Sequence, residues 1–437
     1  MILCYITAAY PSGCFLSNLK KDVIMTRVSR FFLTLVLFTT ASAQGQVISD
    51  AGMAELDRYL QEAVANSRIP GLVAMVTNAD GIIYQGAYGK SRVAENQAMT
   101  LDSIFNLASM TKPITSLAVM MLVEQGRVDL DEPVETYLPY LANRQVFTSV
   151  NLDTGEYESR PASRKMTVRH LLTHTSGLGY AFDSPELARL MGSDFGASAT
   201  SLPLLHEPGS QWTYGEGTRV LGQLVETVSG TGLYDFLRKN ILSPLVMTDT
   251  FYKVPTIKKF RVVSPHRSNG TALVEDALPD GDIASAENGD GGLYGDADDY
   301  SRFIRLFLNG GVNDIGERLL GRDLLRSMGT DHTAPIRVRT MPQTNPLLSL
   351  PFPLGAGEDS YGLGFQVTAV QHENRRAPGS MAWAGIFNTE FWIDPANNIG
   401  AVLLMQYLPF YDDEAIEVLQ GFEERIYANL QGGPRNR

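Results

Sequence analysis

The chain has 437 residues, is 44% hydrophobic, carries a formal net charge of -12 and contains two cysteines. That length supplies a large core and room for more than one domain. The acidic balance argues against a broad nucleic-acid or anionic-membrane footprint.

The first element in chain order is a leader. Arg27 and Arg30 precede an apolar run from Phe31, and Ala41-Ser42-Ala43 fits small-residue cleavage. This is a secretory signal pattern over residues 25–43, too short to span a bilayer comfortably. Residues 1–24 make a poor n-region, so translation is expected to start at Met25, with the upstream stretch a mis-assigned extension. Cleavage after Ala43 leaves 394 residues with a charge of -15, and removes both Cys4 and Cys14. The expected product is exported, to the periplasm or the extracellular space, with no stable membrane insertion. It has no disulfide and no thiolate chemistry.

Met53, Leu56, Leu60 and Val64 recur at helical spacing. Gly71–Ser91 predicts two strands around an Asp80-Gly81 turn. From Leu107 to Gly329 the pattern is mainly helical. "VRHLLTHTSGL" predicts a short helix stopped by glycine. "GTRVLGQLVETVSG" closes on Ser229-Gly230, and "ADDYSRFIRLFLNGG" runs from acidic residues to Gly310-Gly311. Val146–Lys165 reads as an irregular or hairpin insertion and Pro335–Asp359 as a polar, proline-rich excursion; long loops of this kind are functional lids or plain surface decoration. "YGLGFQVTAV", "TEFWIDPA" and "NIGAVLLMQY" predict strands, with a turn from Asp394 to Asn398. Asp413–Leu430 predicts an amphipathic closing helix. Strands at both chain ends flank a helical middle. The expected fold is therefore α+β: one antiparallel sheet from both ends (44–106 and 330–437), flanking helices, and an inserted helical region at 107–329.

Several chemistries lack their motifs. There is no G-x-S-x-G, no H-E-x-x-H, no P-loop and no dinucleotide fingerprint. His170 and His174 are four apart without a third ligand, and read as core or loop histidines. No cofactor or metal is expected. Ser109 and Lys112 remain. Three residues along a helix return to nearly the same face, so the amine can approach the hydroxyl. By spacing alone Ser109 reads as a helix cap and Lys112 as a solvated amine. As a catalytic pair, the serine would gain from the partial positive field of a helix N-terminus, and the lysine would have to lose its proton through burial.

Four stretches in order decide the matter: "FNLASMTKPITSLAVMMLVEQGRVDLDEPVETYLP", "MTVRHLLTHTSGL", "EPGSQWTYGEGTRVLGQLVETVSG" and "GDGGLYGDADDYSRFIRLFLNGG". Over nearly all of residues 44–437 the chain resembles the serine β-lactamase-like superfamily, closest to class C β-lactamases and family VIII carboxylesterases. The resemblance implies the β-lactamase/penicillin-binding-protein-like fold in one catalytic unit. It makes Ser109 the nucleophile, Lys112 its base partner and Tyr214 a proton relay, with the principal base left open between the last two. It aligns Trp383-Ala384-Gly385 with the substrate-binding K-T-G of β-lactamases and W-G-G of the esterases. There Trp383 offers an apolar wall in place of a lysine, and Gly385 lets the strand approach substrate. The backbone N–H groups of Ser109 and Ile386 become the oxyanion hole. One position departs: Glu216 stands in Y-G-E where β-lactamases have an amide. The implied activity is hydrolysis of small to medium carboxylic esters through an acyl-serine. A β-lactamase, D-amino-acid peptidase or amidase, an acyltransferase, and a nonenzymatic cell-wall-ligand binder are the alternatives. The expected partner is a small-molecule ester; oligomeric state is not legible.

Overall fold

The computed structural model describes residues 45–192, 198–268 and 272–432. The leader expected at 25–43 and the extension before it lie outside the described residues. The elements that frame the site are, in chain order, α1 (Asp50–Asn66), β1 (Gly71–Asn78), β2 (Ile82–Arg92), β3 (Gln97–Ala98), α2 (Thr111–Glu124), α3 (Gly217–Ser229) and α4 (Ala297–Leu308). There follow β4 (Ser360–Tyr361), β5 (Gln366–Val367), β6 (Met381–Gly385), β7 (Thr389–Asp394), β8 (Ile399–Leu404) and α5 (Asp413–Ala428).

The strands form one sheet in the order β4-β5-β6-β7-β8-β1-β2-β3, antiparallel throughout. Its seam joins the two chain ends: β8 pairs with β1 from Ile399 opposite Asn78 to Leu404 opposite Val73. Every residue of β1 and β8 is buried, because both faces are covered. Alternation sends Leu72, Ala74 and Val76 towards Leu56 and Leu60 of α1 and Phe422 of α5. Val73 and Met75 face the larger core, which includes α2 and the Phe303 and Ile304 side chains of α4. The α+β architecture expected from the pattern is the one observed.

Local chemistry sets the helix ends. Ser49 caps α1 by accepting the Gly52 N–H at 3.0 Å, and Asp296 caps α4 by accepting the Asp299 N–H at 2.9 Å. Gly230 closes α3 in the left-handed region at φ 77°. The insertion at 145–161 is a hairpin, Gln145–Val150 paired with Tyr157–Pro161. Two local expectations fail. The short helix Val168–Leu172 ends before its glycine: His174 itself turns left-handed, at φ 54°. The strand expected at 361–370 shrinks to β4 and β5, because the chain turns sharply between them, with Gly364 at φ 100°. Among the described residues no helix is long and apolar enough to cross a membrane.

Candidate active site

A single 3-10 turn, Ala108–Met110, leads into α2 and carries Ser109. Three bonds clamp it from outside. The Leu107 N–H reaches the Leu293 carbonyl at 2.8 Å. Asn106 Oδ1 accepts the Ala108 N–H at 3.0 Å, and the Tyr300 hydroxyl donates to the Met110 carbonyl at 2.9 Å. Ala108 is held at φ 45°, a left-handed conformation that disfavours a residue with a Cβ. Ser109 is not a cap: neither the turn nor α2 has a side-chain N-cap bond. Its hydroxyl is directed elsewhere.

Lys112 Nζ lies 3.0 Å from Ser109 Oγ and donates to the Asp290 carbonyl at 2.6 Å. The Tyr214 hydroxyl donates to Ser109 Oγ at 2.6 Å. Lys112 is buried, with its amine 4.9 Å from the centre of the Tyr214 ring and 5.3 Å from that of Tyr180. Burial pulls the amine down to about 8, against the opposing pull of the Asp290 carboxylate; the Arg219 charge adds to the lowering. Burial moves the Tyr214 phenol the other way, well above its ordinary value, although its bond to Ser109 opposes that. Lysine is therefore the easier of the two to find neutral and basic, and tyrosine remains a protonated donor.

Asp290 makes a second set of contacts. Its carboxylate accepts the Tyr180 hydroxyl at 2.6 Å and Arg219 Nε at 3.2 Å. The same residue thus holds Lys112 through its backbone and fixes Tyr180 and Arg219 through its side chain. The sequence reading missed this trio. Asp290 sat inside the quoted glycine loop, and that was its only available signal. Arg219 likewise sat inside a quoted stretch, and Tyr180 carried no local signal. Glu216, the departing position, turns away from Lys112: Oε1 accepts the Ala199 N–H at 2.7 Å and Oε2 the Ser198 hydroxyl at 2.5 Å.

The sheet supplies the opposite wall. Trp383 on β6 is buried, with its ring centre 5.1 Å from that of Tyr214 and 5.4 Å from that of Tyr361. His174 packs in the same cluster, 5.0 Å from the Tyr214 ring, and burial lowers its imidazole well below the ordinary value. It is a neutral core histidine; His170 caps its own helix by accepting the Thr167 N–H at 3.2 Å. Both match the bland reading of the pair. Gly385 needs one refinement. A Cβ there would collide with the Leu107 carbonyl and the Thr389 hydroxyl, so the missing side chain lets β6 abut the backbone that carries Ser109. Beyond it, Ile386 and Ser109 line a cleft of about 900 Å³ together with Tyr214, Trp383 and Ala384. Among the described residues neither the Ser109 nor the Ile386 backbone N–H meets a protein acceptor. Of the residues expected at the site, Ser109, Tyr214, Trp383, Ala384 and Ile386 line one cleft, and buried Lys112 reaches it through its contact with Ser109, so a hydroxyl sits between an amine and a phenol beside two free backbone donors.

A model of the family described as beta-lactamase matches residues 56–421. The chain belongs to the beta-lactamase family. Relatives similar in sequence include lovastatin esterase of Penicillium rubens, 29% identical over 85% of this chain and 98% of that one. Monacolin J acid methylbutanoyltransferase of Aspergillus terreus is 28% identical over 89% of this chain and 100% of its own. Among solved structures of this fold, unliganded simvastatin synthase from Aspergillus terreus superposes with a TM-score of 0.73 at 27% identity, covering 87% of this chain and 99% of that one. The superfamily resemblance read from the four sequence stretches is borne out. Relatives within the family include both esterases and acyltransferases.

Proposed function

We propose that this chain is a serine carboxylesterase that cleaves small to medium esters through an acyl-Ser109 intermediate. The observation that carries the proposal is the double contact on Ser109 Oγ, with Lys112 at 3.0 Å and Tyr214 at 2.6 Å. Neutral Lys112 takes the Ser109 proton as Oγ bonds to the ester carbonyl carbon. The Ser109 and Ile386 N–H groups receive the oxyanion. As the tetrahedral intermediate collapses, the C–O bond to the alcohol breaks. The leaving oxygen takes a proton from Tyr214, which is replenished from protonated Lys112. Water then attacks the acyl-serine by the same route in reverse. Trp383 supports an ester over a β-lactam: it puts an indole where K-T-G places a cation for an anionic substrate. Glu216, engaged with Ser198 and Ala199, offers no amide to a peptide-like substrate.

A reactive-serine phosphonate probe tests the nucleophile. Wild type should label and Ser109→Ala should not, with folding checked by circular dichroism; equal labelling of both removes the assignment. A parallel screen of short p-nitrophenyl esters, nitrocefin and D-alanyl peptides tests the substrate class, and overturns it if nitrocefin or peptide turns over far faster than every ester. Acyl transfer is the second reading, favoured by the methylbutanoyltransferase relative. It uses the same acyl-serine with an alcohol in place of water. Adding an alcohol acceptor and measuring product ester against free acid separates the two.

A further inference from the structure

The cleft does not end at Ser109. It continues past β6 to the sheet face covered by α5, where Ala384, Glu390, Gln420 and Glu423 line it. Cross-strand pairing puts Ala384 opposite Glu390, and Trp383 opposite Phe391 on the other face. The arm therefore begins behind the indole wall.

Its charge balance is one-sided. Six carboxyls line it against two guanidinium groups and one imidazole. Most of the carboxyls are engaged. Glu423 accepts Arg376 Nε at 2.8 Å and Arg375 at 3.1 Å, and Glu424 accepts Arg375 at 2.6 Å. Asp359 accepts the Gln366 amide at 2.7 Å, and Glu358 lies 3.3 Å from His372. Glu390 is different. It is 8% exposed, and its Oε1 meets no hydrogen-bond donor among the described residues. Burial drives this carboxyl up to about 8, although the Arg376 charge opposes that. A buried acceptor without a donor is destabilising. Glu390 lines the arm among a majority of carboxyls, and a cationic donor is the partner that suits both its unpaired carboxyl and that charge balance.

We infer that this arm receives a protonated amine on the substrate, with Glu390 as its carboxylate partner. This rests on the ester reading of Ser109 and narrows it to amine-bearing esters. A bound ammonium supplies both a donor to the Glu390 carboxyl and the charge that stabilises its ionised form.

Two isosteric pairs test it at pH 7: p-nitrophenyl 6-aminohexanoate against the heptanoate, and 2-(dimethylamino)ethyl acetate against 3-methylbutyl acetate. The cationic member should lead in kcat/KM by at least about tenfold in one pair, the usual worth of a charge-assisted hydrogen bond. Glu390→Gln should bring that ratio close to one. Parity in both pairs, or a ratio unmoved in Glu390→Gln, overturns the inference while leaving esterase activity standing. If no ester turns over, the ester reading fails separately. Calorimetric binding to wild type then decides the arm, with hexylammonium expected at least about tenfold tighter than hexanol; equal affinities overturn it. The same measurement serves if Glu390→Gln does not fold.

Discussion

Lys112 does its work by being in the wrong place for a lysine. Its amine is buried and drawn down to about 8, so at pH 7 roughly a tenth of it is neutral. On the proposed mechanism acylation needs that fraction, and kcat/KM should then rise about tenfold per pH unit below 8 and level off above it. Tyr214, pushed upward by burial, stays protonated across this range. Tyr214→Phe should lower the plateau by about two orders of magnitude and leave the limb near 8 in place. A limb that vanishes in Tyr214→Phe would make tyrosine the base. The same shift has a stability consequence. The unfolded lysine binds its proton up to 10.5 and the folded one only up to about 8, so stability rises with pH between those values. At pH 7 the whole cost is present, on the order of 3 kcal/mol. Lys112→Met removes it but forfeits two hydrogen bonds of about 1 kcal/mol each. Denaturant unfolding should find that variant inactive yet about 1 kcal/mol more stable at pH 7, with the gain gone at pH 10.5.

At the scale of elements, the site is a meeting of α2's leading turn with the end of β6. Gly385 makes the meeting possible. Gly385→Ala puts a methyl against the Leu107 carbonyl and the Thr389 hydroxyl, neither of which is the free end of a flexible chain. The strand must retreat, and the Ile386 N–H retreats with it. Steady-state kinetics should show a kcat loss of about 10²–10³, the usual worth of an oxyanion donor, beside a stability loss of about 1–3 kcal/mol. Full kcat in a destabilised variant would remove Ile386 from the oxyanion hole. The elements themselves were legible because their signals are local. β1 carries the apolar run Leu72–Val76 and β8 the run Ile399–Leu404, α4 begins on a capping aspartate, and α3 ends on glycine. Misreadings came where tertiary structure overrode that local code. His174 took the left-handed turn assigned to glycine, inside a packed aromatic cluster. Ser109 gave up the cap that its position suggested, because Lys112 and Tyr214 hold its hydroxyl. Tyr180, Asp290 and Arg219 were invisible for a related reason. Their bonds join segments 110 and 71 residues apart, and no pattern along the chain records that.

On the scale of the whole molecule, the cleft draws on three parts of the chain. The helical region provides Ser109, Tyr214 and Asp290, with the buried Lys112 bonded to Ser109. The sheet built from both ends provides Trp383 and Ile386. The excursion at 335–359, legible in the sequence as either a lid or surface decoration, contributes Leu348, Phe352, Pro353 and Leu354 to the wall. On the proposed mechanism the first two parts carry the chemistry, and the third is expected to limit what reaches it. Phe352 is the centre of that limit: it is buried, with its ring 5.6 Å edge-on from Tyr214 and 5.2 Å from Phe410. No hydrogen bond ties it to Ser109, so shortening it changes the shape of the cleft more than its acylating groups. Phe352→Ala should cost about 3–5 kcal/mol of stability as a buried aromatic truncation. It should also open space beside the acyl-serine. Across p-nitrophenyl esters of increasing chain length, kcat/KM should fall for acetate and rise for the longer acyl chains that fill the vacated volume. If the length optimum does not move, the excursion is surface cover, and acyl length is set by Trp383 and the sheet instead.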